Sequence, residues 1–381
     1  MTRSDVQTGY FLYHSIGQYP GKSEDMARAF SAFSESWGRF DDGQWPAALA
    51  SRQAFIDRWT QLVNAPAGTL TAAENVTTAL YSLIRSLPKR HLAGRKLLVG
   101  ADCFPSLHFL LAGLAERHDF ELCTVPVRQG EHWVRDEDFV DHWGQDVGVA
   151  LLTWVTSTTS HRCDHEALLA HGRSRDTLVG IDITQGAGLF PFDVQNPQVD
   201  FTVSTSLKWL CGTPGAGILH VDQALLETCS PELRGWFSQE NPFSWDLDGF
   251  SYAPDARRFD HGTPSVVACV GSLAALEWHA AQDATELLAH NRDLADRIIA
   301  QADMLGLELV SPREESQRGG SVMVRLPETL DPTILIDTLR NQQLYADCRG
   351  RTLRLSPGVV TGQECVARLF ETLGAELKKA R

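Results

Sequence analysis

Residues 180–221 read GIDITQGAGLFPFDVQNPQVDFTVSTSLKWLCGTPGAGILHV. Asp182 ends an apolar strand, and Lys208 comes directly after a second strand at 200–206. A glycine-rich run at 212–217 leads into a third strand. Because the carboxyl ends of parallel strands meet at one edge of a sheet, we expect Asp182 and Lys208 to lie close together.

Short apolar strands alternate with helical segments on the N-terminal side of this stretch. Strands are predicted at 96–101, 120–127, 147–155 and 177–184, and helices at 74–87, 106–118 and 164–175. This alternation predicts an α/β fold with a mostly parallel sheet of the seven-stranded type, flanked by helices.

The chain is predicted to divide near residue 284, after a long apolar helix at 266–282. Residues 51–284 then form the large domain, and 285–381 form a small α+β C-terminal domain. The strands of the small domain are GLELVS, SVMVRLP and TLRLSP. Residues 1–50 are predicted to pack with the small domain.

The composition excludes several classes of function. The 48 acidic residues outnumber the 34 basic ones, and no Lys/Arg-rich run is present, so neither nucleic acid nor an anionic membrane is an expected partner. No signal peptide and no apolar span of about 18 residues is visible. Eight scattered cysteines without a CxxC pair indicate reduced thiols, and we expect a cytoplasmic protein.

Lys208 and Asp182 offer what the cofactor pyridoxal 5′-phosphate (PLP) requires of a protein. A lysine amine forms a Schiff base with it, a carboxylate keeps its pyridine nitrogen protonated, and a helix N-terminus holds its phosphate. Taken singly, each residue is more simply a solvated charge or a helix cap. Their order and spacing together favour a PLP site, with Lys208 as the catalytic lysine.

Several blocks in fixed order along the chain carry a family resemblance. They are YFLYHSIGQYP (10–20), DCFPSLHFLLAGL (102–114), VTSTTSHRCDHEAL (155–168), LRGWFSQENPF (233–243), RFDHGTPSVVA (258–268) and LRLSPGVV (353–360). With Asp182 and Lys208, these blocks resemble the class V aminotransferase superfamily of fold-type I PLP enzymes, and within it most closely the kynureninases.

The resemblance implies roles for individual residues. The implied cofactor contacts are Asn75, Val76, Thr77, Phe104, Ser157, Asp182, Gln185, Ser206, Lys208, Trp236 and Thr263. The implied substrate contacts are His14, Ser15 and Arg354, with Arg354 gripping the α-carboxylate. Thr263 is implied to reach the cofactor phosphate of a neighbouring subunit, which predicts a homodimer with shared active sites. Asn75 also suits a helix N-cap without any ligand.

Three departures from the kynureninases concern the reaction. Leu207 stands where that family has Tyr, and Gln185 and Gln239 stand where it has His. These changes remove acid–base groups that act on kynurenine. We therefore predict a lyase or hydrolase that cleaves at the β-carbon of another amino acid, by C–C hydrolysis or β-elimination. The alternatives are an aminotransferase, a cysteine desulfurase-like enzyme, and a PLP-binding paralogue without turnover.

Two further groups of residues suggest other chemistry. Cys348 would be the nucleophile of a desulfurase, but its surroundings better match an Asp-x-Arg pattern of the kynureninases. His161, Cys163 and His165 are spaced too loosely for metal ligands, so no metal site is predicted.

Overall fold

The structure, a computed structural model, describes residues 7–380. Its strands are β1 (Gly9–Tyr10), β2 (Leu70–Ala73), β3 (Arg95–Gly100), β4 (Phe120–Val125), β5 (Val147–Thr153), β6 (Leu178–Asp182), β7 (Phe201–Thr205), β8 (Gly217–Val221), β9 (Glu308–Leu309), β10 (Val322–Arg325), β11 (Leu344–Tyr345), β12 (Asp347–Arg349) and β13 (Thr352–Leu355). Its helices are α1 (Lys22–Trp37), α2 (Gln44–Leu62), α3 (Val76–Ile84), α4 (Pro105–Ala115), α5 (Asp136–His142), α6 (His165–Ser174), α7 (Gln223–Thr228), α8 (Val267–Ala280), α9 (Ala284–Met304), α10 (Pro332–Asn341) and α11 (Gln363–Lys379).

A seven-stranded sheet in the order β2-β8-β7-β6-β5-β3-β4 forms the centre of the larger unit. Strands β3 to β7 are parallel to one another, and β8 is antiparallel to both β7 and β2. The predicted mostly parallel α/β sheet is therefore confirmed. A parallel sheet with helices on both faces needs strands that are apolar throughout.

Strand β5 shows how these apolar strands bury both faces of the sheet. Its sequence is VGVALLT, and only the final Thr153 is not fully buried. Ala150 and Leu152 belong to the apolar cluster on one face, whereas Val149 and Leu151 belong to the cluster on the other. Side chains along a strand alternate between the two faces of the sheet, so one strand contributes side chains to both apolar clusters.

The smaller unit contains an antiparallel sheet in the order β12-β13-β10-β9. Its apolar cluster joins this sheet to helices α9, α10 and α11 through residues such as Leu294, Leu335 and Leu369. Phe11, from the N-terminal segment, belongs to the same cluster.

The N-terminal segment divides its contacts between the two units. Strand β1 pairs with β11 of the smaller unit. Helices α1 and α2 pack instead on α8, where Phe30 and Phe33 cover Val266 and Val270. Strand β1 therefore lies with the smaller unit, whereas α1 and α2 lie on α8.

All eight cysteines are free thiols, and most are buried. Among residues 7–380, no helix combines the length and the apolar character needed to cross a membrane.

Candidate active site

A cavity of about 370 Å³ opens at the carboxyl ends of the parallel strands. Thr153, Asp182 and Thr205, the final residues of β5, β6 and β7, lie on its wall. The full lining is Asn75, Val76, Thr77, Phe104, Ser106, Leu107, Thr153, Val155, Ser157, Asp182, Thr184, Gln185, Thr205, Leu207 and Lys208. Its volume lies within the range of small-molecule sites, about 300–1,000 Å³.

Lys208 projects its amine into this cavity. The Nζ atom donates a hydrogen bond to the backbone carbonyl of His14 at 2.7 Å and lies 5.9 Å from the centre of the Phe104 ring. Burial lowers the pKa of Lys208 to about 8; the charge of Asp182 opposes this shift, and the charge of Arg354 adds to it. A lysine with a lowered pKa is uncharged in a useful fraction of molecules near neutrality, which makes it a nucleophile and a base.

The N-terminal segment closely approaches the lysine loop. The amide of Gly17 donates to the carbonyl of Leu207 at 2.9 Å. A Cβ atom added at Gly17 would lie 1.8 Å from the backbone oxygen of Lys208. Only glycine permits this approach, which brings His14 to the amine.

Asp182 supplies a buried carboxylate in the same cavity. Its Oδ1 accepts a hydrogen bond from the amide of Thr184 at 2.9 Å. Burial raises the pKa of Asp182, while hydrogen bonds from Thr184 and the charge of Lys208 oppose that rise. A carboxylate here can hold a proton on a ring nitrogen placed beside it.

The N-terminus of α3 forms a third part of the cavity wall. Asn75 is its N-cap and accepts a hydrogen bond from the Thr78 amide at 2.9 Å. The first amides of a helix have no partner within the helix, and those of Val76 and Thr77 lie at the cavity. Such a helix end binds phosphate groups well.

These residues fit PLP. The cavity holds a lysine amine, a buried carboxylate and a helix N-terminus, which are the three groups that this cofactor requires. The hydroxyl of Thr153 is buried and has no hydrogen-bond partner within the described part of the chain, so it can serve a polar ligand.

Ser206 does not reach the cavity with its side chain. Its Oγ accepts a hydrogen bond from Nε1 of Trp59 at 2.9 Å, and the residue is fully buried. Successive residues of an extended segment face opposite sides, so Thr205 lines the cavity instead.

Two residues with predicted cofactor contacts lie outside this cavity. Trp236 packs edge-on against Phe237 with 4.6 Å between ring centres. Thr263 is exposed and borders a second, smaller cavity of about 60 Å³ beside Thr78 and Ser82 of α3. A contact of Thr263 with a cofactor would therefore involve another subunit.

The predicted substrate residues occupy different positions around Lys208. The imidazole of His14 is buried away from the cavity, with Nδ1 2.6 Å from Ser356 Oγ. What His14 offers to the site is its carbonyl, which accepts from Lys208 and from Nε2 of Gln185 at 3.0 Å. Ser15 is exposed.

Arg354 is hydrogen-bonded to Asp347 and to Ser157, and Ser157 lines the cavity. Its Nε donates to Asp347 Oδ1 at 2.8 Å, its Nη2 donates to Asp347 Oδ2, and its Nη1 lies 3.4 Å from the carbonyl of Ser157. Asp347 is the first residue of the Asp-x-Arg pattern around Cys348, and the sequence analysis assigns it no role in the site.

Cys348 is poorly placed for catalysis. It lies on β12 opposite Leu353 and packs against the apolar cluster of the smaller unit. Burial raises the pKa of its thiol to about 12, whereas a nucleophilic cysteine needs a lowered pKa.

His161 stacks on Trp133 with 5.3 Å between ring centres. Among the described residues, no group of His, Cys, Asp and Glu could hold a metal ion.

Sequence reasoning missed several cavity residues. They are Ser106, Leu107, Thr153, Val155, Thr184 and Thr205. Thr153 and Thr205 end strands β5 and β7 and lie within two residues of the predicted strand ends, so the position near a strand end is the available signal. Thr184, two residues after Asp182, shares that signal.

The chain is similar to known proteins over most of its length. The family model described as "Aminotransferase class-V" matches residues 57–347. A kynureninase of Deinococcus radiodurans is 29% identical over 332 residues, which cover 84% of this chain and 78% of that protein. An uncharacterized aminotransferase, YcbU of Bacillus subtilis, is 23% identical over 355 residues, which cover 93% and 91%.

Solved structures show the same fold. A cysteine desulfurase of Thermococcus onnurineus superposes with a TM-score of 0.86 at 17% identity, covering 98% of this chain and 95% of that one. A C-DES mutant with glycine covalently linked to PLP superposes with a TM-score of 0.85 at 19% identity, covering 96% of each chain. From the family match and the cavity that fits its cofactor, we conclude that the chain belongs to the class-V aminotransferase family of fold-type I, PLP-dependent enzymes.

Proposed function

We propose that this chain is a lyase or hydrolase that cleaves at the β-carbon of an amino acid other than kynurenine. The observation that carries the proposal is the Lys208 amine, whose pKa is about 8, in one cavity with the Asp182 carboxylate. The position of Cys348 away from that cavity favours cleavage without a protein thiol over a desulfurase reaction.

Four parts of the site have roles in this proposal. Bound PLP supplies an electron sink that lets a bond at an amino acid's α-carbon break. Lys208 then serves as the base that takes a proton from the α-carbon, with the His14 carbonyl holding its amine. Asp182 holds a proton at the pyridine nitrogen, the amides at the N-terminus of α3 bind the phosphate, and Arg354 binds the substrate carboxylate.

A product assay tests this function against its alternatives. Purified enzyme is incubated with a panel of amino acids, with and without a keto acid. Ammonia with pyruvate indicates β-elimination, and alanine formed from an amino acid with a γ-carbon indicates cleavage between the β- and γ-carbons. Alanine formed from cysteine would identify a desulfurase and contradict the proposal. Turnover that requires the keto acid would identify an aminotransferase and contradict the proposal.

Kynurenine is expected to be a poor substrate. Leu207 lines the cavity beside Lys208 but carries no acid–base group, and Gln185 uses its amide to donate to the His14 carbonyl. Since one acid–base group contributes about 10²–10⁴-fold, kynurenine and hydroxykynurenine should turn over well below the usual enzyme rate of about 10 s⁻¹. Measured rates near that value for either compound would contradict this substrate assignment.

We also propose a homodimer in which each subunit completes its partner's site. Thr263 is exposed and lies beside α3, the helix whose N-terminus borders the cavity. In a twofold dimer, one surface is used twice, so a contact from Thr263 to the partner's phosphate would occur in both sites.

Mixing two variants tests the shared site. A Lys208→Ala subunit and a Thr263→Ala subunit together form a mixed dimer with one site that keeps both residues. Activity of the mixture should therefore exceed the sum of the two variants measured alone. Activity equal to that sum, or a fully active monomer in light scattering, would show that the sites are separate.

A further inference from the structure

Asp347 contacts two residues of the site at once. It lies directly opposite Arg354 in the β12–β13 hairpin, and its two carboxylate oxygens accept from Nε and Nη2 of the guanidinium. Its Oδ1 also lies 3.2 Å from His14 Nε2. Burial would raise the pKa of Asp347, but the adjacent His14 imidazole and the hydrogen-bonded Arg354 guanidinium outweigh that and keep the pKa well below the usual range, so the group is a carboxylate at any working pH.

The turn between β12 and β13 determines that Asp347 pairs with Arg354. Only two residues, Gly350 and Arg351, separate β12 from β13, and Gly350 has a φ of 54°. Two-residue hairpin loops take a positive φ at their first position, which glycine adopts without strain. The turn sets the register, and the register places Asp347 across from Arg354.

Asp347 occupies one defined edge of the Arg354 side chain. A guanidinium has five N–H donors in a planar fork. Asp347 accepts hydrogen bonds from the Nε–H group and from one N–H group of Nη2. The Ser157 carbonyl lies 3.4 Å from Nη1. One N–H group on each terminal nitrogen remains, and two N–H groups of a guanidinium can bind another carboxylate through two parallel hydrogen bonds.

The His14 imidazole is the second group that contacts the Asp347 carboxylate, through Nε2 at 3.2 Å. Its Nδ1 is 2.6 Å from Ser356 Oγ, which is itself 2.6 Å from Ser321 Oγ. This arrangement suits a neutral imidazole that accepts at Nδ1 and keeps its proton on Nε2, facing Asp347. Burial, which lowers the pKa of His14, favours the same neutral form.

We propose that Asp347, braced by His14, is a positioning residue that fixes Arg354 with one edge presented to the substrate α-carboxylate. Asp347 itself touches neither substrate nor cofactor in this arrangement. The inference rests on the proposed function in taking an amino acid as the ligand, but it does not depend on which bond of that amino acid breaks.

The charge of Asp347 and its positioning role have opposite effects on binding. By charge alone, removing a carboxylate beside Arg354 would strengthen the binding of another carboxylate. If Asp347 positions Arg354, removing the Asp347 carboxylate lets the long Arg354 side chain move. That side chain must then be ordered again whenever the ligand binds, which weakens ligand binding. The two possibilities can be separated by one substitution, Asp347→Asn, which keeps the size of the side chain.

The test compares two probes that differ only in the carboxylate, L-alanine and ethylamine. Each is titrated into the PLP-loaded protein, and its dissociation constant is measured from the change in cofactor absorbance. Asp347→Asn should weaken L-alanine binding about tenfold, or about 1.4 kcal/mol, and leave ethylamine binding unchanged. In an Arg354→Ala background, Asp347→Asn should have no further effect, because Asp347 acts through Arg354.

Asp303→Asn is the matched control, since Asp303 makes a similar two-bond pair with Arg313 on the surface of the smaller unit. It should leave both dissociation constants unchanged. Unchanged or tighter L-alanine binding in Asp347→Asn would overturn the proposal, as would an equal loss for both probes or a loss that persists without Arg354. These outcomes concern binding, whereas failure of the proposed β-cleavage would appear only in the reaction products.

Discussion

Lys208→Ala is expected to abolish turnover, with a loss of about 10⁴-fold or more, because the variant lacks both the group that bonds to PLP and the base. The basis is the position of its amine in the cavity, 2.7 Å from the His14 carbonyl, and a pKa that burial lowers to about 8. Wild-type protein loaded with PLP and reduced with borohydride should carry the cofactor on the peptide that contains Lys208, and the variant should carry none there.

Lys96→Ala is the control for this experiment. The Lys96 amine forms an ion pair with Asp146 at 2.7 Å and lies outside the cavity. Its removal should change neither turnover nor the labelled peptide. Cofactor attached to a different lysine of the wild-type protein would show that the assignment of the active site is wrong.

Most of the central sheet could be predicted because its strands are continuous apolar runs. The strand predicted at 147–155 is β5 (Val147–Thr153), and that at 200–206 is β7 (Phe201–Thr205). Strand β2 (Leu70–Ala73) was missed, since LTAA has only four residues and little strand preference of its own. It forms by antiparallel pairing with β8, which is a tertiary interaction that local sequence does not carry.

The site was predictable where a side chain follows a strand and less so elsewhere. Asp182 and Lys208 were found this way. Ser206 lies outside the cavity lining while Thr205 is part of it, because a shift of one residue along an extended segment reverses the face on which a side chain lies. Strand ends are the least certain part of a sequence prediction, so Thr205 and Ser206 could not be told apart.

His14 and Asp347 show two further limits. His14 contacts Lys208 through its backbone carbonyl, a group that every residue possesses and that no sequence motif can identify. The pairing of Asp347 with Arg354 depends on the register of a hairpin whose two-residue turn, Gly350-Arg351, was not recognised. Counting outward from that turn would have placed the two residues opposite each other.

Asp182→Asn is expected to reduce turnover by more than about 10²-fold while leaving PLP attached to Lys208. The carboxylate is buried in the cavity, where a charge interacts strongly because water is excluded. Asparagine keeps the size and can still accept a hydrogen bond from the Thr184 amide, but it cannot hold a proton on the pyridine nitrogen by charge. Removing one such electrostatic group typically costs about 10²–10³-fold in rate.

The experiment must separate cofactor binding from cofactor activation. Borohydride labelling measures attachment to Lys208, and the product assay measures turnover, so the expected variant is fully labelled and nearly inactive. Asp200→Asn is the control: Asp200 is a largely buried carboxylate whose Oδ2 accepts from the Val179 amide at 2.7 Å, and it lies outside the cavity. Burial raises the pKa of Asp200 to about 6, so it shares the desolvated character of Asp182 without its position. If Asp182→Asn turned over as fast as Asp200→Asn, the charge of Asp182 beside the ring would not be needed for turnover, and Asp182 would lose its assigned role.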